Sequence, residues 1–107
     1  MLVEILEKAV SLGGSSVEIE YRDGKEHITV LRGDIGYGIA CLAGQDAKSL
    51  FKEMDDLRKK KRAALGGVMY QLVFSRHESF GEWVHRIQMK QADDAARAKR
   101  QRHTYSA

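Results

Sequence analysis

The order of apolar and polar positions predicts a helix followed by a β-hairpin. Apolar residues recur at three- and four-residue spacing over residues 2–12, and Gly13-Gly14 then favours the end of a helix, because glycine readily adopts the left-handed conformation. Residues 16–22 alternate between apolar and charged side chains, which is typical of a strand with one solvated face. Asp23-Gly24 is a strong signal for a tight hairpin turn, so residues 25–32 are predicted as the returning strand.

The short turn also predicts how the two strands of this hairpin pair. It places Ile19 opposite Ile28 on one face and Glu20 opposite His27 on the other. Apolar residues meet apolar residues without adjustment, which supports this register because a slip of one residue would exchange the two faces.

The remaining pattern predicts three more strands and a second long helix. An apolar strand covers residues 35–43, and the helix begins near Asp46 and carries its apolar stripe to Leu65. Gly66-Gly67 is interpreted as the cap of that helix, and strands follow at 68–75 and 82–89.

These elements predict an α+β fold with a single, mainly antiparallel, five-stranded sheet and the helices on one face. The element order is α-β-β-β-α-β-β, followed by a basic C-terminal helix or tail. Residues 1–90 are expected to form one domain, and residues 91–107 to form the basic tail, because this last segment contains alanines and charges but no large apolar core residues.

Apolar residues lie on both predicted faces of the later strands, whereas two helices can cover only one face. We therefore expect a homodimer partner or a protein ligand to cover the second face, since burial of about 300 Å2 of apolar surface contributes roughly 7 kcal/mol before the costs of association. Incidental apolar residues or coverage by the C-terminal segment are the alternatives. The residues proposed for the dimer or partner face are Tyr37, Ile39, Tyr70, Leu72 and Trp83.

Composition places the chain among small single domains. It has 107 residues, of which 43% are hydrophobic, and no apolar run approaches the roughly 20 residues that span a bilayer. The single cysteine excludes an internal disulfide, so a reducing, cytoplasmic location is expected and a membrane location is not.

Basic residues concentrate in two places, although the formal net charge is only +3. Such runs are usually solvated surface, but they also suit an anionic partner such as nucleic acid. No aromatic RNA-binding motif accompanies them. The residues proposed for nucleic-acid contact are Arg58, Lys59, Lys60, Lys61, Arg62, Arg97, Lys99, Arg100 and Arg102.

The histidines do not form a convincing catalytic or metal site in the sequence. His27 shares its predicted face with Glu18 and Glu20, an arrangement that is ordinary on strand surfaces. His77 and His85 are eight positions apart in a segment that is not helical, so they do not match the zinc motif H-E-x-x-H.

Cys41 lies in an apolar strand with no base beside it in the sequence, which favours a buried structural cysteine over a nucleophile. No catalytic, cofactor-binding or metal-binding residue is therefore predicted. The chain is not expected to be an enzyme or to carry a cofactor.

The predicted element order resembles that of type III secretion chaperones and related small dimeric domains. Those proteins fold as a sheet packed on helices and pair as homodimers that bind extended segments of their partners. The segment from Gly14 to Gly44 is also similar to the amino-terminal part of TldD/PmbA-type peptidases, without a counterpart of their catalytic part. Neither resemblance assigns a site residue.

The leading hypothesis is a small non-catalytic protein-binding or adaptor module that forms a homodimer, and the alternative is a nucleic-acid-binding protein.

Overall fold

The computed structural model describes residues 1–92 and confirms the α+β class, the antiparallel sheet and the two helices. The elements are α1 (Leu2–Ser11), β1 (Ser16–Arg22), β2 (Lys25–Arg32), β3 (Ile35–Leu42), α2 (Gly44–Lys60), β4 (Arg62–Leu65), β5 (Val68–Ser79) and β6 (Glu82–Gln91). The sheet has six strands rather than the predicted five, in the order β3-β2-β1-β6-β5-β4, and every neighbouring pair is antiparallel. The basic helix or tail is predicted at 91–107, but Gln91 is the last residue of β6, and residues 93–107 lie outside the described residues.

The additional strand is β4, which the sequence pattern assigned to the end of the second helix. Helix α2 ends at Lys60 because Lys61 adopts a left-handed conformation with φ of 61°. The chain then reverses into β4, and Leu65 reaches the core from a strand instead of a helix. Gly66-Gly67 forms the turn between β4 and β5, both with positive φ, and does not cap a helix as predicted.

Strand β5 is longer than its apolar pattern indicates. The pattern predicts a strand that ends at residue 75, whereas β5 continues to Ser79 and pairs with β6 up to the turn at Phe80-Gly81. The β5–β6 hairpin therefore ends beside the β1–β2 turn, because β1 lies antiparallel to β6. Both hairpin tips lie at the same end of the sheet.

Both helices lie on one face of the sheet and share one hydrophobic core with it. The predicted register of the first hairpin is confirmed, with Ile19 opposite Ile28 and Glu20 opposite His27. A carboxylate oxygen of Glu53 on α2 accepts a hydrogen bond of 3.3 Å from the backbone N–H of Leu2, which ties the start of α1 to α2. The buried core consists of Leu2, Leu6, Ala9, Val17, Ile19, Ile28, Val30, Leu50, Met54, Leu57, Leu65, Tyr70, Leu72, Ile87 and Met89.

The opposite face of the sheet, called the open face below, is mainly polar, so the expectation of two apolar faces is wrong. The physical reason is the pairing of β5 with β6, which sends their large apolar residues, such as Leu72 and Met89, to the helix side together. The apolar residues that lie on the open face of these two strands are Met69, Val73 and Val84. The polar residues of the open face include Glu18, Glu20, His27, Thr29, Ser75, His77, Arg86 and Gln88.

No helix within residues 1–92 combines the length and the apolar character that crossing a membrane would require.

Candidate functional site

One edge of the sheet is left half uncovered by a mismatch in strand length. The four-residue strand β4 pairs only with the beginning of β5, from Val68 to Gln71. The last backbone contact on this side is the hydrogen bond of 2.9 Å that the N–H of Leu72 donates to the carbonyl of Lys61. Beyond it, residues 73–79 pair with β6 on one side, and no strand within the described part of the chain pairs with them on the other.

The unpaired backbone groups on this edge can be assigned from Leu72. Because successive residues of a strand direct their N–H and C=O groups to opposite sides, Phe74, Arg76 and Glu78 present theirs to the same side as Leu72. None of these three residues forms a backbone hydrogen bond on that side with any of residues 1–92. We call residues 73–79 the free edge of β5. Such an edge is a template for another strand.

The side chains of the same three residues point to the helix face, where α2 forms the second wall of a cleft. We call this hollow the edge cleft, and its volume is about 470 Å3. A smaller hollow of about 260 Å3 adjoins it, because Phe51 and His85 line both. The edge cleft is lined by Phe51, Met54, Asp55, Arg58, Phe74, Ser75, Arg76 and His85.

Two arginines give the edge cleft its polar character. Arg58 donates a hydrogen bond of 3.2 Å to the carboxylate of Asp55, and its guanidinium carbon lies 5.7 Å from the centre of the Phe74 ring. The guanidinium carbon of Arg76 lies 4.3 Å from the centre of the Trp83 ring, a distance typical of a cation–π contact. Within residues 1–92, no carboxylate lies within 4.0 Å of Arg76. The Trp83 ring therefore holds this charge in place, and no carboxylate of residues 1–92 pairs with it.

His85 lines the edge cleft together with these two arginines. Burial lowers its pKa, the positive charges of Arg58 and Arg76 lower it further, and Asp55 opposes the effect. The Phe51 ring meets the imidazole edge to face, with 5.3 Å between the ring centres. At neutral pH His85 is therefore uncharged, and the positive charge of the cleft comes from Arg58 and Arg76.

The smaller hollow has the opposite charge. It is lined by the exposed rings of Tyr21 and Trp83 and by the carboxylates of Glu26 and Glu82. Burial raises the pKa of Glu26, and the negative charge of Glu82 raises it further, whereas His27 opposes the effect. The helix face near the hairpin tips thus changes from positive beside Arg58 to negative beside Glu26.

The structure separates the residues proposed for a dimer or partner face. Tyr70 and Leu72 are only 8% and 4% exposed and belong to the core, and Ile39 packs against that core. Tyr37 and Trp83 are exposed by 42% and 47%, but they lie on different strands, β3 and β6. Only Trp83 touches the edge cleft, through its contact with Arg76.

The basic residues at the end of α2 are brought next to the free edge. Arg58, Lys59 and Lys60 form the last turn of α2, Lys61 ends it, and Arg62 begins β4, and all five are exposed. The other four residues proposed for nucleic-acid contact lie outside the described residues: Arg97, Lys99, Arg100 and Arg102.

The histidines predicted near the last hairpin do not meet. His85 lies on the helix face, whereas His77 pairs with Val84 on the open face. Glu18 forms a salt bridge of 2.9 Å with Arg86. Within residues 1–92, no three His, Cys, Asp or Glu side chains come together as a set of metal ligands.

Cys41 differs from its sequence interpretation, because it is exposed and lies beside a base. Its Sγ is 3.8 Å from Nδ1 of His27 across the β2–β3 pair. A bulge causes this contact, since the register shifts between Ile28 and Thr29 and turns Cys41 to the open face.

The free edge and its cleft were not predicted from the sequence. The signal that would have revealed them is the unequal length of β4 and β5, which requires knowing that residues 62–65 form a strand. No protein-family model and no curated protein matches this chain. A functional proposal therefore depends on the geometry of the site.

Proposed function

We propose that this chain is a small, non-catalytic protein-binding module that takes an extended segment of a partner onto the free edge of β5. The observation that carries the proposal is the length mismatch at this edge. Strand β5 has twelve residues, and only its first four pair with β4. The unpaired remainder lies beside a cleft that can receive alternate side chains of an added strand.

Strand addition uses both parts of this site. Backbone hydrogen bonds to the edge provide affinity, and hollows beside the edge provide selectivity for alternate side chains. The groups available are the N–H and C=O of Phe74, Arg76 and Glu78, directed away from β6. An added strand would continue the line of β4, so it would extend the sheet without displacing an existing element.

The sequence pattern predicts a homodimer through an apolar sheet face, but the open face is too polar for such association. A homodimer would instead form through the free edge of β5. A second copy could present its own free edge, and the two β5 strands would then pair about a twofold axis. Sedimentation over a range of concentrations distinguishes the two occupants. A monomer whose edge amides exchange freely supports a partner segment, whereas a dimer with protected edge amides assigns the edge to a second copy.

A backbone-specific variant pair tests the proposal. Peptides are first selected from a displayed random library on the full chain, and their affinities are measured by fluorescence anisotropy. Arg76→Pro removes an edge N–H that β6 does not use, whereas Arg76→Ala removes only the side chain. We expect Arg76→Pro to bind the selected peptides more weakly than Arg76→Ala. Glu78→Pro and Glu78→Ala provide a second pair if the first proline variant does not fold.

The outcome that contradicts the proposal is equal binding by the two members of a folded pair. Hydrogen exchange gives an independent readout, because an added strand must protect the amides of Phe74, Arg76 and Glu78. Selected peptides that leave these amides unprotected would place binding elsewhere and refute this site.

Nucleic-acid binding remains the second candidate because five consecutive exposed basic residues, 58–62, end α2 and begin β4. Phosphate contacts weaken steeply with salt, so a mobility-shift assay with a salt titration tests it. Complexes that dissociate as salt rises, and that weaken when Lys59 and Lys60 become Gln, would favour this function. Absent binding would remove it.

A further inference from the structure

We infer that the partner segment carries a basic, an acidic and an apolar residue at alternate positions, in that order along its chain, with the acidic side chain opposite Arg76. This inference rests on the proposed function and specifies the chemistry of the partner. It follows from the sequence of side chains that the free edge presents to the helix face: Phe74, Arg76 and Glu78.

The direction of the added strand comes from β4. Strand β4 is antiparallel to β5, and an added strand in line with it would have the same direction. Such a segment meets Glu78 first, then Arg76, then Phe74. The residues between these contacts face the other side of the sheet, so the pattern has the period of two that a strand imposes.

The acidic position follows from the surroundings of Arg76. Arg76 is held over the Trp83 ring and has no carboxylate within 4.0 Å among residues 1–92, so it is placed to pair with an incoming carboxylate. Arg58 lines the same cleft and adds positive charge, although Asp55 already engages it. Burial and the two arginines lower the pKa of His85 in the same cleft, so at neutral pH the positive charge there comes from Arg58 and Arg76.

The two flanking positions follow from their neighbours. Phe74 packs partly against the core, and the cleft beside it contains Phe51 and Met54, so an apolar side chain would be buried there. Glu78 lies near the hairpin tip and, within the described residues, is not in a salt bridge. A lysine or arginine opposite it would form a favourable cross-strand pair.

Two synthetic peptides of equal composition test the inference. The first is Thr-Lys-Thr-Glu-Thr-Leu-Thr, and the second exchanges its Lys and Glu. Binding is measured by fluorescence anisotropy, and hydrogen exchange reports protection of the amides of Phe74, Arg76 and Glu78. We expect the first peptide to bind about three- to tenfold more tightly, because two favourable cross-strand charge pairs replace two unfavourable ones.

Charge reversal then tests whether Arg76 causes the preference. Arg76→Glu should reduce or invert the ratio of the two affinities. Arg32→Glu changes the net charge equally at an exposed position on β2, at the end of the sheet opposite the hairpin tips, and should leave the ratio unchanged.

The outcomes separate this inference from the proposed function. If both peptides protect the edge amides equally, or if Arg76→Glu leaves the ratio unchanged, the inference is overturned and edge binding stands. If neither these peptides nor the selected ones protect the edge amides, the proposed function fails and the inference fails with it.

Discussion

Gly14 lies between α1 and β1, where the structure leaves no room for a side chain. A Cβ built on its backbone would lie 2.3 Å from Cγ1 of Val30 and 3.0 Å from the carbonyl oxygen of Ala9. That oxygen already accepts a hydrogen bond of 2.9 Å from the N–H of Gly14, and Val30 is fully buried. Neither neighbour can withdraw without loss of a core contact or of a hydrogen bond.

Gly14→Ala therefore forces a shift of the backbone in the connection between α1 and β1, where α1 packs on the sheet. Carbon atoms in favourable contact are about 3.5–4.0 Å apart, so the new methyl group requires a displacement of more than about 1 Å. Overpacking of a core in this way typically destabilises a protein by about 1–3 kcal/mol. We expect urea unfolding of Gly14→Ala to show a lower midpoint with an unchanged slope, since the surface exposed on unfolding is the same.

Gly38→Ala is the matched control, because it makes the same chemical change in a strand. A Cβ at Gly38 would have no heavy atom within 4 Å. Its unfolding free energy should stay within about 0.5 kcal/mol of the parent chain. If Gly14→Ala is no less stable than Gly38→Ala, then the Gly14 backbone does not lie against Val30 as described, and the packing argument is refuted.

Three further predictions concern titratable groups. Because burial and neighbouring arginines lower the pKa of His85, the unfolded chain binds its proton more readily, and stability should fall as the pH drops below about 6.5. Urea unfolding between neutral pH and about pH 5 should show a smaller fall for His85→Gln than for the control His77→Gln, and equal falls would contradict the assignment. Glu26→Gln should raise the thermal midpoint at neutral pH, since burial and Glu82 raise the Glu26 pKa and make its charged form unfavourable in the folded state; an unchanged or lower midpoint would contradict this. Cys41 should react with a thiol reagent in the absence of denaturant because it is exposed, and reaction only after unfolding would show that it is buried.

The first hairpin was predictable because its signals are local. Asp23-Gly24 sets the turn, and the strict alternation around it admits one register, which the structure confirms. The register of the β2–β3 pair, in contrast, could not be predicted from local signals alone. The turn at Gly33-Asp34 sets the register near the turn, but the shift between Ile28 and Thr29 changes which face Cys41 occupies. No residue type in the sequence marks that bulge.

The candidate site was not predictable for a related reason. Ala64 and Leu65 continue the apolar spacing of α2, and only the left-handed conformation of Lys61 shows that the helix has ended. Residues 76–79 lack apolar alternation because their positions extend beyond the core, so the sequence pattern does not predict a strand there. A free edge depends on the relative lengths of β4 and β5. The sequence pattern includes β4 in the second helix and makes β5 too short, so it does not predict the free edge.

The exposed edge of β5 has a further consequence for the behaviour of the protein at high concentration. An unpaired strand edge that is long, flat and apolar invites uncontrolled stacking of copies into aggregates. Here Arg76 and Glu78 occupy the outer part of the edge, and charged side chains in such positions discourage indiscriminate pairing. The same side chains that would select a partner thus also limit aggregation. Replacing them with valine is expected to make the edge pair with other copies of the chain without selectivity.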